Sequence, residues 1–266
     1  MSDFHRLGLG TYRNTDAADC RRAVETALET GYRHVDTAQM YDNEEHVGEG
    51  IANADVARDD VFLATKLDTG NLVADAVHET TAESLEKLGT EYLDLLYVHW
   101  PIETYDPDET LPALDELADA GTIRNVGLSN FTPELLDEAI EELDAPVFAH
   151  QVEMHPLLQQ GDLHERAVAD DHWLVAYCPV ARGEVADVPE LVEIGEKHDA
   201  TPYQVSLAWL LAKENVAAIP KATSKAHIVE NYGALDVELD DEDVARIDGI
   251  TREERLVDFP AAPWNN

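Results

Sequence analysis

The chain has 266 residues, 44% of them hydrophobic, enough for one large core and close to the roughly 250 residues of a closed α/β barrel. Its 56 acidic residues face only 18 basic ones, a formal net charge of −38, which argues against nucleic acid as a partner. No apolar run reaches the roughly 18 residues of a membrane span, no signal-peptide core stands near the start, and two isolated cysteines, Cys20 and Cys178, make neither a disulfide framework nor a zinc site.

Such a surface repels itself in dilute salt, and at 1 M salt the screening length shrinks to about 3 Å. The acids alternate with periodic apolar residues, as in DDEDVARIDGI, so the charge describes a folded protein suited to a salty, reducing cytoplasm and not a disordered one.

In chain order, LGLG (7–10) reads as a first strand. A helical pattern over Ala17–Thr30 stops at Gly31, a C-terminal cap glycine. HVD (34–36) is the second strand and VFLATK (61–66) the third. A helix over Ala74–Leu88 stops at Gly89. LDLLYVH (93–99) is the fourth strand, followed by a helix over Leu111–Ala120 that stops at Gly121. IRNVGLS (123–129) is the fifth. Thr132-Pro133 opens the next helix, with Thr as N-cap and Pro in the first turn. VFAHQVE (147–153) and WLVAYCP (173–179) are the sixth and seventh strands. Thr201-Pro202 opens a helix through Lys213, and VAAIP (216–220) is the eighth strand. Eight strand–helix units with no linker between them predict an α/β fold, a (β/α)8 TIM barrel, as a single domain over 1–266. Gly8-Leu9-Gly10 resembles the start of a dinucleotide-binding turn, but Arg13 occupies the third glycine position and no helix follows directly, so that reading is set aside.

In such barrels chemistry sits where the strands end. The second strand ends on Asp36, with Tyr41 in the loop behind it. The third ends on Lys66 and the fourth on His99. Singly, each has an ordinary explanation: a loop cap, a lysine reaching water, a core histidine, a packed tyrosine. Four together at neighbouring strand ends point to chemistry. A free phenol has a pKa near 10. A lysine ammonium beside it is expected to lower that value, and a carboxylate opposite keeps the lysine charged. His99 would orient a substrate oxygen and share or pass the proton. The set describes a general acid aimed at a carbonyl.

That acid requires a nucleophile. His150, Glu153 and His155 are spaced as strand and loop, and no metal is expected. A Schiff-base aldolase using Lys66 is an alternative, although a carboxylate-paired ammonium is a poor amine nucleophile. A bound hydride donor is the remaining source.

The motifs LGLGTYR (7–13), GYRHVDTAQMYDNEEHVG (31–48), TK (65–66), LDLLYVHWP (93–101), VGLSNF (126–131), AYCPVARG (176–183), IPKA (219–222) and EN (230–231) resemble the aldo-keto reductases over essentially the whole chain. The ending RLVDFPAAPW (255–264) is most similar to the 2,5-diketogluconate and methylglyoxal reductases. The resemblance implies NADPH-dependent carbonyl reduction by the tetrad Asp36, Tyr41, Lys66 and His99, with Tyr41 as proton donor. It places Ser129, Asn130 and Gln151 at the nicotinamide carboxamide and Tyr177 against the nicotinamide ring. Arg182 and Gly183 fall near the pyrophosphate, Lys221 and His227 near the 2′-phosphate, and Glu230 and Asn231 near the adenine.

Two positions depart from the family pattern. Ala222 stands where Ser is common and His227 where Arg is common, which leaves NADH possible. Tyr12, Asp68, Trp100, Phe131 and Trp264, the last in a C-terminal tail over the barrel mouth, would line the substrate pocket. Asp68 stands where Trp is usual, which favours a small, polar carbonyl. A monomer is expected, with neither nucleic acid nor membrane as partner. A cofactor-binding regulatory subunit with little turnover is the alternative function.

Overall fold

The computed structural model describes residues 4–265. Eight strands follow one another around a single parallel sheet: β1 Leu9–Gly10, β2 His34–Asp36, β3 Phe62–Leu67, β4 Leu95–Val98, β5 Val126–Ser129, β6 Val147–Glu153, β7 Trp173–Tyr177 and β8 Val216–Ala218. Each pairs with the next in parallel. The ring closes where Leu7 bridges Ala218 and Gly10 bridges Lys221. Gly10 is needed at that seam, because a Cβ there would stand 2.7 Å from the Ile219 carbonyl oxygen. The glycines set aside as a phosphate turn therefore serve barrel closure.

Ten helices are described: α1 Ala17–Thr30, α2 Glu44–Asn53, α3 Ala74–Leu88, α4 Pro107–Asp119, α5 Pro133–Glu142, α6 Gly161–Ala169, α7 Pro189–His198, α8 Pro202–Ala212, α9 Lys225–Tyr232 and α10 Asp241–Asp248. The predicted stops at Gly31 and Gly89 hold, and both glycines have positive φ. The helix expected from Leu111 starts four residues earlier, because Asp106 caps the Asp108 amide and Pro107 fits the first turn. Several predicted strands are shorter than read. Flanking apolar residues such as Leu93 and Ile123 meet only through an isolated bridge.

The strands separate two apolar layers. Leu63, Leu96, Leu128 and Leu174 pack outward against the helices in the larger core. Phe62, Ala64, Leu95, Tyr97, Ala149, Val175 and Ala217 fill the barrel interior, with Phe4 at its base. Fully burying one such large side chain contributes roughly 1.5–3 kcal/mol. Gly127 leaves room for the Tyr97 ring, which a Cβ would strike. Among the described residues, no helix is long and apolar enough to cross a membrane.

Candidate active site

Side chains alternate along a strand, so residues two apart share a face. Continuing the interior face upward leads from Ala64 to Lys66, from Tyr97 to His99 and from Gly127 to Ser129. It leads likewise from Ala149 to Gln151 and Glu153, and from Val175 to Tyr177. On β2 the same face carries His34 and then Asp36. One polar layer thus caps a dry interior at the C-terminal mouth. Lys66 is followed by one more strand residue and His99 lies one past β4, small shifts from the expected strand ends.

Lys66 is fully buried and Asp36 is 1% exposed. The Lys66 Nζ donates to Asp36 Oδ1, and to the Thr37 carbonyl at 2.7 Å. It lies 3.5 Å from the Tyr41 hydroxyl oxygen. The second Asp36 oxygen accepts from Gln151 Nε2 at 2.9 Å. Tyr41 ends a short 3-10 turn, Gln39–Tyr41. Gln39 fastens that turn by donating to the Thr80 carbonyl at 3.1 Å and Ser84 Oγ at 3.2 Å. The Tyr41 and His99 rings meet edge to face, with centroids 5.6 Å apart. All four predicted tetrad residues come together.

Their electrostatics differ from the sequence reading. Lys66 was expected to lower the Tyr41 pKa; instead, burial and then the Asp36 charge push it well above 10. The ammonium is spent on the carboxylate it touches, and little water remains to solvate a phenolate. Tyr41 therefore keeps its proton. Burial also pulls Lys66 below its ordinary range, against the opposing pull of Asp36. Burial, then the nearby Lys66 charge, hold His99 well below 6.5. His99 is a neutral imidazole whose Nδ1 is buried without a partner. It can orient an oxygen, but it holds no second proton to pass on, and that part of the expectation is corrected.

The residues expected at the nicotinamide form one network. Asn130, at φ 63°, donates through Nδ2 to the His99 carbonyl at 2.9 Å and to Ser129 Oγ at 3.0 Å. Its Oδ1 accepts from the Tyr177 hydroxyl at 2.8 Å. Ser129 Oγ donates to the Gln151 carbonyl at 3.0 Å. Gln151 thus touches both this network and Asp36, a link the sequence reading lacked. Arg182 and Gly183 lie in the loop after β7, where Cys178, Ala181, Arg182 and Gly183 all have positive φ. Lys221, His227, Glu230 and Asn231 stand on the loop after β8 and on α9. Lys221 and His227 are exposed, while Asn231 is 8% exposed.

Of the expected pocket residues, Tyr12 lies beside Tyr41, with ring centroids 5.2 Å apart. Trp100 meets Phe259 at 4.9 Å and Trp264 at 5.6 Å, both from the C-terminal tail. Asp68 accepts from Thr69 Oγ1 and the Gly70 amide in its own loop, both at 3.3 Å. Phe131 is buried against Tyr105 in the outer core. It also lines a cavity of about 560 Å³ together with Asn130, Glu153, Arg255 and Trp264. The sequence reading missed Thr37, Phe259 and Glu153. Glu153 carried the same signal as Asp36, a carboxylate ending an apolar strand. With His155 it was weighed only as a metal ligand.

A dinucleotide fits this arrangement on charge. Arg13, Arg182, Lys221, Lys225, Arg252 and Arg255 have no carboxylate within ion-pair distance among the described residues. Five lie in the loops after β1, β7 and β8 or in the tail, and Lys225 opens α9; Arg6 and Arg33 also lack a carboxylate but donate to backbone carbonyls elsewhere. In a chain of charge −38, cations without carboxylate partners at one rim are suited in charge to an anion.

The aldo/keto reductase family profile matches residues 6–252. The methylglyoxal reductase DkgB of Salmonella typhi is 39% identical over 254 residues, which cover 94% of each chain. A crystal structure described as a 2,5-diketo-D-gluconic acid reductase B superposes with a TM-score of 0.92 at 37% identity, covering 97% of this chain and 92% of that one. The Bombyx mori aldo-keto reductase in complex with NADP superposes with a TM-score of 0.89 at 31% identity, over 97% and 92% of the two chains. With the profile spanning most of its length, a closed eight-stranded barrel and a phenol–lysine–carboxylate group at the mouth, the chain belongs to the aldo/keto reductase family.

Proposed function

We propose that this enzyme reduces small, polar aldehydes and ketones to alcohols with NADPH, and that Tyr41 gives the proton to the carbonyl oxygen. The observation that carries this reading is a protonated, half-buried phenol 3.5 Å from a lysine and edge to face with a neutral histidine at the barrel mouth. A bound dihydronicotinamide supplies the hydride for the carbonyl carbon. Ser129, Asn130 and Gln151 are the residues that would hold its carboxamide, and Tyr177 the one that would lie against its ring. His99 and Tyr41 direct hydrogen bonds at the carbonyl oxygen. As negative charge builds on that oxygen, Tyr41 releases its proton and Lys66 balances the phenolate. Asp36 holds Lys66 in place throughout.

Lys221 favours NADPH over NADH, because a lysine at the rim of so acidic a chain is a scarce counter-charge. Ala222 and His227 offer fewer grips on a 2′-phosphate, so NADH serves as a weaker second donor. Asp68 favours small, polar substrates such as methylglyoxal, keto sugar acids or aldoses. We place this activity in a monomer with one barrel domain over 1–266, in a salt-rich cytoplasm, as the −38 charge and two free cysteines suggest. The test is nicotinamide oxidation in high potassium chloride, with both cofactors and a panel of these carbonyls. Turnover with NADPH is expected. No turnover of any carbonyl would overturn the proposal.

A further inference from the structure

The strand that carries Gln151 ends on a second buried carboxylate. Glu153 is fully buried, and both its oxygens are used. Oε1 accepts from the Leu256 amide at 2.6 Å and faces His155 Nε2 at 3.0 Å. Oε2 accepts from the Val257 amide at 2.8 Å. Burial works against its charge, but the His155 contact and the two tail amides hold the carboxyl below its ordinary range.

Leu256 and Val257 belong to the tail after α10, which has no regular structure from residue 251 to 258. Among the described residues, three hydrogen bonds tie residues 251–265 to the barrel. Two end on Glu153, and the third runs from the Glu254 amide to the Leu157 carbonyl at 2.7 Å. Just beyond this clamp, Phe259 and Trp264 lie against Trp100. Trp264 is braced by Asp258 through its ring N–H at 3.0 Å, and by the Arg255 guanidinium 4.1 Å from its ring.

We propose that Glu153 is a specificity-determining positioning residue, a latch that holds the tail so that Phe259 and Trp264 complete the substrate wall on Trp100. The assignment rests on the reductase reading above, with Trp100 beside the substrate. Both Glu153 oxygens are taken up by His155 and the two tail amides, so it acts through the tail. Its latch is directional. A carboxylate presents acceptors to two amide donors, and an amide side chain in its place would turn one donor toward another. Losing the latch frees the aromatic wall and leaves the tetrad intact. An aryl carbonyl that needs the wall then loses affinity, and a three-carbon carbonyl does not.

Glu153→Gln and Glu153→Asp are to be compared with Phe259→Ala and Trp264→Ala. In Glu153→Gln, hydrogen exchange at the Leu256 and Val257 amides is expected to rise at least tenfold. The KM for phenylglyoxal should rise about tenfold with kcat nearly constant, while the KM for methylglyoxal stays within twofold. Glu153→Asp, which keeps the charge, should fall between. Unchanged tail exchange in Glu153→Gln overturns the latch. So does equal loss on both substrates with a lowered Tm, which is the mark of a merely structural residue. If Phe259→Ala and Trp264→Ala raise the phenylglyoxal KM and Glu153→Gln does not, the latch again fails while the wall stands. If none of the variants changes that KM, both the wall and the specificity role of Glu153 are wrong.

Discussion

The Lys66 ammonium stands 3.5 Å from the Tyr41 hydroxyl, at the outer limit of hydrogen bonding. Its closer partners are Asp36 and the Thr37 carbonyl. The lysine is therefore committed to an anion before any substrate arrives, and the phenol beside it stays protonated. The arrangement suits an acid that must carry its proton until negative charge appears on a substrate oxygen.

Removing the lysine should harm stability as well as rate. Lys66→Met leaves Asp36 buried, with Gln151 as its remaining side-chain partner. Breaking one side of a buried pair costs about 3–5 kcal/mol. Urea unfolding should show that loss. Adding Asp36→Asn should restore much of the stability and none of the turnover. A single variant as stable as the parent would contradict the buried pair.

Stability should fall below neutral pH because of histidines buried in the barrel, His99 at the mouth among them. Burial lowers His34 to about 4 and His150 to about 3, from 6.5. Both ring nitrogens of His150 lack partners. The unfolded chain binds protons at these sites below about 6.5 and the folded chain does not, so stability is complete above that pH. It drains as pH falls toward the folded values. Each histidine costs about 1.4 kcal/mol per pH unit in that window. Urea midpoints from pH 7.5 to 5 should track this loss, and a flat profile would contradict it.

Cofactor preference should respond to one substitution. His227 lies exposed in the first turn of α9, behind the Ser224 cap. His227→Arg adds a planar fork suited to phosphate. NADPH should bind about tenfold tighter by fluorescence titration, roughly 1.4 kcal/mol, with NADH within twofold. Equal tightening of both would place the 2′-phosphate elsewhere.

Salt should stabilise the protein. With 56 acidic residues against 18 basic ones, surface repulsion dominates in dilute buffer, and 1 M potassium chloride cuts its range from about 10 Å at 0.1 M to about 3 Å. Tm should rise across that range. A Tm that falls with salt would show that ion pairs outweigh repulsion.

Much of this was legible in the sequence because strand alternation is a local rule. The apolar runs located the strands, and Asp36, Lys66 and His99 stood out as polar ends on them. Tyr41 followed from its place in the loop behind Asp36, and Trp264 from the family resemblance. What the sequence hid depends on partners distant in the chain. Gln151 reaches Asp36 across 115 positions, and Glu153 grips amides more than 100 positions away. Backbone amides carry no side-chain signature, so Glu153 looked like a rejected metal ligand. The direction of the Tyr41 shift was also hidden, because it depends on how completely the site excludes water. The early start of α4 was missed because Asp106-Pro107 sits in an acid-rich stretch with few apolar residues.

The most direct test of the central claim is Tyr41→Phe, followed in a single turnover with bound NADPH and methylglyoxal. The variant should bind NADPH with parental affinity and keep its Tm. Its rate of nicotinamide oxidation should fall roughly 100- to 10,000-fold, the usual contribution of a general acid. A rate within a few-fold of the parent would show that another group delivers the proton.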